Sequence, residues 1–351
     1  MNYLDKIKLN DYIIGHQCPP FIVAEAGLNH NGEIQKAFEM IKVAKNSGAD
    51  AIKFQTFKAD EFISDTALTY TYFSQGKKII EPQIDLFRRC EFSRDDWFKI
   101  KEKCSEEKIM FLSTPENRSD LDLLIELGIP AIKVGSDELI NLPLLKNYAS
   151  TGLPMILSSG MANLSEIHDA LQAVGALNGY PTILLVTTSE YPTPTENVNL
   201  RKFETLAKTF PDIPLGFSDH TQGFLASSLA CAFGACLFEK HFTLSHDLAG
   251  PDHWFSEDPT GLKNWIDSIR NSYIMLGSSE IKPTVKELEN RKEFRRVIVA
   301  ITDIRKGDEF NINNIGLRRV SGGKGCHPSF YDKFLGKLSD HDYKKGEILS
   351  V

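Results

Sequence analysis

Apolar runs recur along this chain, and each stops in a short polar cluster. The first four are FIVAEAG at 21–27, AIKFQTF at 51–57, MFLSTPE at 110–116 and AIKVGSDE at 131–138. MILSSGM at 155–161, ILLVTTSEY at 183–191, LGFSDHT at 215–221 and CLFEKHF at 236–242 continue the series. Runs of this length and composition read as buried strands. Helical periodicity fills the intervals. Between 33 and 47, Ile34, Ala37, Phe38, Ile41 and Ala44 share one face, and NSGAD supplies a glycine stop. NLSEIHDALQAVGALN repeats the spacing with Leu164, Ile167, Ala170, Leu171 and Val174, and Asn163 or Ser165 can cap it. After the eighth run, Leu262, Trp265, Ile266 and Ile269 form one stripe. Strands alternating with helices give a parallel sheet, and eight such units predict an α/β fold, a closed (β/α)8 TIM barrel.

The spacing breaks twice. Lys58 to Cys90 separates the second run from the third by more than the others, and TYTYFSQGKK within it reads as an excursion, either a lid over the barrel mouth or a plain insertion. From Lys282 the text KPTVKELENRKEFRR is polar and led by proline, a linker with some helical character. Beyond it, VIVAITDIRKGDEFNINNIGLRRV carries short β-like runs with a turn at Arg305 to Asp308, and a second Lys-Gly-Glu turn lies near the end. The expected division is a barrel domain over 1–281, a linker over 282–293 and a small β-rich domain over 294–351. So small a domain has little core of its own and is expected to dock elsewhere.

Composition narrows the function classes. With 42% hydrophobic and 25% charged residues, the chain has the make-up of a soluble globular protein. A net charge of -7 and the absence of any Lys/Arg block argue against nucleic acid as a partner, while leaving room for a local positive pocket. The six cysteines form no CxxC pair, which fits a reducing compartment. MNYLDKIKLND is not a signal sequence, and Leu225 to Phe238, the most apolar long stretch, is too short to span a bilayer. A cytoplasmic protein with no membrane partner is expected.

Active sites of β/α barrels lie at the carboxyl ends of the strands, where all the polar clusters fall. Strand alternation pairs Val23 with Glu25, Lys53 with Gln55, Ser218 with His220 and Glu239 with His241 on common faces. Lys53 and Lys133 sit in apolar text, and a buried ammonium needs an anion. With hydroxyls at Ser113, Thr114, Ser136, Ser158 and Ser159 they would cradle a phosphate or carboxylate; the plainer alternative pairs them with a local glutamate such as Glu25 or Glu138. A lone histidine is most often a hydrogen-bonded core residue. Two at the ends of adjacent strands, His220 and His241, point to a shared divalent metal with open positions. No thiolate lies beside them, which argues against a closed zinc site. Glu25, Glu138, Asp219, Glu239 and Asp252 are candidate acids, bases or hydroxyl binders.

Taken together, AEAGLNHNG, KFQTF, FLSTP, KVGSDE, LSSGM, EYPTP, GFSDHT, EKHFT and GPDHWFS stand in one order and spacing. In these the chain resembles the sialic acid synthases, which condense phosphoenolpyruvate with N-acetylmannosamine or a related 2-acetamido sugar. The resemblance covers the barrel fully and the tail more loosely. It implies a C-terminal antifreeze-like domain, here around GLRRVSGGKG, that crosses to the partner subunit of a domain-swapped homodimer. It also implies that His220 and His241 hold Mn2+ or Mg2+, and that Lys53, Lys133, Ser136 and Ser158, with Thr114 or Ser113, hold phosphoenolpyruvate. Glu25, Gln55, Glu138, Tyr191, Ser218 and Asp252 would surround the sugar or the reacting centre, and Arg319 would reach the sugar's N-acetyl group from the other subunit. Three departures touch substrate choice: Arg319 to Gly325 lacks the proline many relatives carry, Leu184 to Thr188 replaces a Leu-Leu-His-Cys-Thr text, and Ser189 stands where some members have asparagine near the sugar. N-acetylneuraminate is the first product expected, with legionaminate- and pseudaminate-type acids as alternatives. The competing chemistry is a Schiff-base pyruvate aldolase using Lys53 or Lys133. From another class, the tail would be an ice- or glycan-binding module on a barrel scaffold, but RKGDEFNINN offers no threonine array.

Overall fold

A computed structural model describes residues 6–350. It separates into two compact units, one ending at Gly277 and the other beginning at Ser278. The first is built on eight strands: β1 Phe21–Gly27, β2 Ala51–Thr56, β3 Met110–Pro115, β4 Ile132–Val134, β5 Met155–Ser158, β6 Thr182–Thr187, β7 Leu215–Asp219 and β8 Leu237–His241. All the ladders are parallel and run in the order β3-β2-β1-β8-β7-β6-β5-β4, a nearly closed barrel whose ends β3 and β4 lie side by side without a ladder of their own. Every apolar run expected to be a strand is one. The first polar residues of each cluster are among the last residues of its strand, and the rest of the cluster forms the loop that follows.

The helices follow the stripes. Ile34–Ser47 buries Ala37, Met40, Ile41 and Ala44 and ends at Gly48, whose φ of 93° is left-handed. Leu164–Val174 starts from Asn163, not Ser165, in a capping box with Glu166. Pro259–Leu276 buries Leu262, Trp265, Ile266 and Ile269.

Alternation splits each strand between two environments. Ile22, Ala24, Ile52, Phe54, Phe111 and Leu157 join the core that the helices cover. Val23, Ala51, Leu112, Ala131, Ile156 and Leu237 form a separate apolar cluster with Ile7, Leu9 and Ile14. The last three come from an antiparallel hairpin, Lys6–Leu9 with Tyr12–Gly15, which packs on the amino-terminal layer of the barrel interior. Nothing in the sequence reading foresaw it, because KIKL and YIIG are four residues each in a charged stretch. Gly216 belongs to the same tight interior: a Cβ there would lie 2.5 Å from Leu185 Cδ2 and 2.6 Å from the Leu237 carbonyl oxygen.

The excursion between β2 and β3 is ordered. It comprises a short helix Ala59–Phe62, an antiparallel hairpin Thr69–Ser74 with Lys77–Pro82, and a helix Gln83–Cys90.

In the second unit, much of the expected linker is a helix, Val285–Phe294, opened by a capping box between Thr284 and Glu287. Arg296–Ala300 pairs antiparallel with Ile315–Arg319, and Ile298, Ile304, Phe310, Ile315, Tyr343 and Leu349 make a core. The two anticipated turns are present, with Asp308 N–H donating to the Arg305 carbonyl and Glu347 N–H to that of Lys344. All six cysteines are free. No helix among the described residues is long and apolar enough to cross a membrane.

Candidate active site

Above the apolar layer, the next inward position on each strand is polar. Val23 gives way to Glu25, Ala51 to Lys53 and Gln55, Leu112 to Thr114, Ala131 to Lys133, Ile156 to Ser158, and Leu237 to Glu239 and His241. The period of two that fills the lower barrel with hydrocarbon thus fills its mouth with chemistry. These side chains line a cavity of about 520 Å³, within the range of small-molecule sites.

Two ammonium groups and two carboxyls form its floor. Lys53 Nζ lies 2.8 Å from Glu25 Oε2 and 3.8 Å from Glu239 Oε2, and donates to Thr114 Oγ1 at 3.3 Å. Lys133 Nζ donates to Ser158 Oγ at 2.7 Å and sits 3.9 Å from Glu239 Oε1. Lys53 thus has Glu25, a glutamate neighbour that the plainer reading named, whereas the carboxyl nearest Lys133 is Glu239; both lysines also reach a hydroxyl in the cavity. Burial pushes the Glu25 carboxyl up to about 8 against the pull of Lys53. For Glu239, burial also pushes upward, but Lys133 and Lys53 on either side outweigh it and hold the carboxyl below its ordinary range. Burial lowers Lys133; for Lys53 the same effect is overcome by Glu239 and Glu25, and the ammonium is held above its ordinary value. At this spacing the Glu25 carboxyl, held up by burial, and the Glu239 carboxylate, held down by the two ammonium groups, take opposite protonation states near neutral pH.

His241, the last residue of β8, and His220, the first residue past β7, meet at the same cavity with ring centroids 5.6 Å apart. His220 Nδ1 bonds the Thr188 carbonyl at 2.8 Å, an orientation that leaves Nε2 for a ligand. His241 Nδ1 is buried with no partner. Burial pushes His220 down to about 4, and it drives His241 well below the ordinary value, with His220 adding to the effect, so both rings are neutral near pH 7. Neutral imidazoles with free lone pairs suit a divalent metal. Among the described residues no group of three or more His, Cys, Asp or Glu side chains gathers for one. A two-imidazole site would leave its remaining positions to water and substrate oxygen.

Tyr191 packs its ring 4.1 Å from that of His220. Asp252 lines the cavity, its carboxyl raised by burial to about 7. Gln55, Ser136, Ser189 and Ser218 line it too, with Ser218 Oγ donating to Glu239 Oε1 at 3.1 Å. The excursion supplies one wall through Phe62, Tyr70 and Phe87, so it covers part of the mouth and is more than a surface insertion.

Among the expected residues, Ser113, Ser159 and Glu138 do not line this cavity, Ser159 donating to the Leu185 carbonyl instead. Ser113 points to the other face of β3 and bonds Thr56 Oγ1 at 2.7 Å, leaving Thr114 as the hydroxyl at the mouth. Glu138 accepts from Asn141 Nδ2 at 2.6 Å beside the helix Leu142–Ala149 and does not line the cavity, because β4 ends at Val134 and alternation carries no further. Arg319 lies in the second unit, its guanidinium 5.4 Å from the Phe294 ring centroid. Asp219, a candidate carboxylate, accepts from Thr221 and Ser227 and pairs with Lys240 at 3.2 Å as a structural group. Two cavity carboxyls went unforeseen: Glu116 and Asp137. Their signal was position alone, just past the ends of β3 and β4.

The NeuB family pattern matches residues 40–281. The chain is 40% identical over 334 residues to the N,N'-diacetyllegionaminic acid synthase of Legionella pneumophila, spanning 94% of this chain and 93% of that protein. Its counterpart of the same name in Campylobacter jejuni is 39% identical over 331 residues, 93% of this chain and 98% of that one. The structure also matches that of the N-acetylneuraminic acid (sialic acid) synthetase from Leptospira borgpetersenii, solved with citrate, with a TM-score of 0.72 and 33% identity over 81% of this chain and 94% of that one. A barrel mouth of this composition, in a chain matched over this extent, places the protein in the NeuB family, among enzymes that form sialic-type sugar acids.

Proposed function

We propose that this enzyme condenses phosphoenolpyruvate with an open-chain 2-acetamido sugar and water, releasing phosphate and a nine-carbon 2-keto sugar acid. The observation that carries the reading is the shared cavity: two lysines with hydroxyls on one side, two neutral histidines on the other. Lys53, Lys133, Thr114, Ser136 and Ser158 hold the phosphate and carboxylate of the enol ester. His220 and His241 would hold a divalent metal, Mn2+ or Mg2+, which when bound would supply Lewis-acid charge beside the acceptor's aldehyde.

C3 of the enol ester bonds to the aldehyde carbon, and the aldehyde oxygen takes a proton to become a hydroxyl. Glu25 carries that proton, since burial keeps it on the carboxyl near neutral pH. Glu25, now a carboxylate, steadies the positive charge at C2 and takes a proton from the water that adds there. The tetrahedral adduct then breaks its C2–O bond to phosphate, and the proton of the new C2 hydroxyl leaves with the phosphate, giving the 2-keto group.

The acceptor is a 2,4-diacetamido-6-deoxy sugar, a reading supported by the two diacetyllegionaminic acid synthases at 40% and 39% identity. The likeness to a sialic acid synthetase favours N-acetylmannosamine as the second candidate. Residues 294–351 are read as an antifreeze-like domain exchanged within a homodimer, with Arg319 on the sugar's N-acetyl group, on the strength of the GLRRVSGGKG text. Free cysteines support a cytoplasmic site.

Incubating the purified protein with Mn2+, phosphoenolpyruvate and each sugar in parallel tests this. Phosphate release with a product of the summed mass is expected. A lysine adduct trapped with pyruvate by borohydride, and turnover surviving chelator, would instead establish the Schiff-base route.

A further inference from the structure

Leu112 and Thr114 face the barrel interior from β3, and Glu116 takes the next position of the same period. It lies one residue past the strand. Its N–H still donates to the Thr56 carbonyl at 3.1 Å, so the pairing of β2 with β3 carries it inward at the mouth. Glu116 therefore lines the cavity with Thr114, Lys133 and Ser136, three of the groups read above as the cradle for the enol ester.

An acidic side chain inside an anion cradle is a conflict, and its surroundings decide how it is resolved. Among the described residues Glu116 makes no ion pair: Lys53 pairs with Glu25 and Glu239, and Arg118, two residues along, turns to Asp122 and Asn147. The charges that bear on it are Asp137 and Glu138 after β4, Lys53 on β2 and Asp120 on the helix Arg118–Glu126. Tyr148, on the helix Leu142–Ala149, gives its hydroxyl to the Pro115 carbonyl instead. Glu116 Oε2 is buried with no hydrogen-bond partner. Burial, with Asp137 and Glu138 adding to it, holds the carboxyl well above its ordinary range. A neutral carboxyl carries one O–H donor, and a buried polar atom left unpaired asks for a partner. In a cradle for anions, that partner is a charged oxygen of the ligand.

We propose that Glu116 is a proton-bearing member of the cradle, donating its carboxyl O–H to an anionic oxygen of the enol ester, so that binding depends on that proton. The inference rests on the reading of the mouth as the phosphoenolpyruvate site. Loss of the proton turns a donor into a carboxylate beside the ligand's charge, and affinity falls as pH rises. Glutamine is the neutral isostere: it keeps a donor at every pH and cannot ionise.

Calorimetry on the full-length protein with phosphoenolpyruvate, from about pH 6 to about pH 9, tests this without turnover. At the lower pH, Glu116→Gln is expected to bind within about threefold of the unaltered protein, and Glu116→Ala at least about tenfold more weakly, the loss of a hydrogen bond to a charged group. As pH rises, the unaltered protein is expected to lose affinity more steeply than Glu116→Gln, by up to about tenfold per pH unit. Glu25 titrates in the same window in both proteins and cancels in the comparison. Parallel pH profiles, equal affinities of the Gln and Ala variants, or markedly tighter binding by Glu116→Gln at about pH 6, the mark of a native carboxylate, would overturn the proposal. Melting curves show that each variant is folded, and Glu116→Asn supplies a second neutral donor. Lys133→Ala separates the two claims: binding that survives it removes the reading of the mouth and this proposal together, whereas binding lost there with parallel profiles for Glu116→Gln removes this proposal alone.

Discussion

Lys53 is the residue on which most of the mouth converges, touching Glu25, Glu239 and Thr114. Lys53→Ala leaves two buried carboxyls with less cation between them, and breaking such a group by removing one partner costs about 3–5 kcal/mol. Urea unfolding of the variant near pH 7 should show a loss of that order, together with loss of turnover. His220→Ala and His241→Ala should each remove turnover while circular dichroism shows the barrel still folded, since both rings end on the cavity and pack on Tyr191. The proton on Glu25 gives a third expectation. With its carboxyl at about 8, the form that delivers a proton is present below that pH and lost above it, so kcat/KM should fall as pH rises through about 8. Glu25→Gln should remove the activity at every pH.

At the scale of elements, the amino-terminal hairpin does what the strands alone cannot: it covers the lower barrel with Ile7, Leu9 and Ile14. Leu9 is fully buried, and Leu9→Ala should cost about 2–5 kcal/mol in denaturant unfolding while leaving KM for both substrates in place. The eight strands were legible because short, mainly apolar runs, each closing in a polar cluster, recur between stretches of helical periodicity. Alternation put Lys53 with Gln55, Ser218 with His220 and Glu239 with His241, and all six line the cavity, but it guides only as far as a strand continues. Ser113 and Thr114 are adjacent, and which one faced the mouth depended on register. Glu138, Glu116 and Asp137 lie beyond the strand ends, where loop backbone decides direction. The hairpin escaped because its burial depends on residues from six barrel strands, a non-local fact that short text does not carry.

For the whole molecule, buried neutral histidines set the acid limit. Burial pushes His30 down to about 3 and His253 to about 4, while an unfolded histidine titrates near 6.5. Below that value the unfolded chain takes up protons that the folded one refuses, so stability falls as pH drops from about 6.5 toward 4, by up to ~1.4 kcal/mol per pH unit for each ring. Melting temperature should therefore decline across that window, and His30→Asn should shallow the decline.

The barrel's two storeys have a further consequence. Its closure is entrusted to hydrocarbon at the amino end, sealed by the hairpin, while recognition and proton handling occupy the opposite end. Exchanges at the rim can then retune which acceptor is admitted without unseating the scaffold, and divergence among such catalysts needs little more than new loops on an unchanged base.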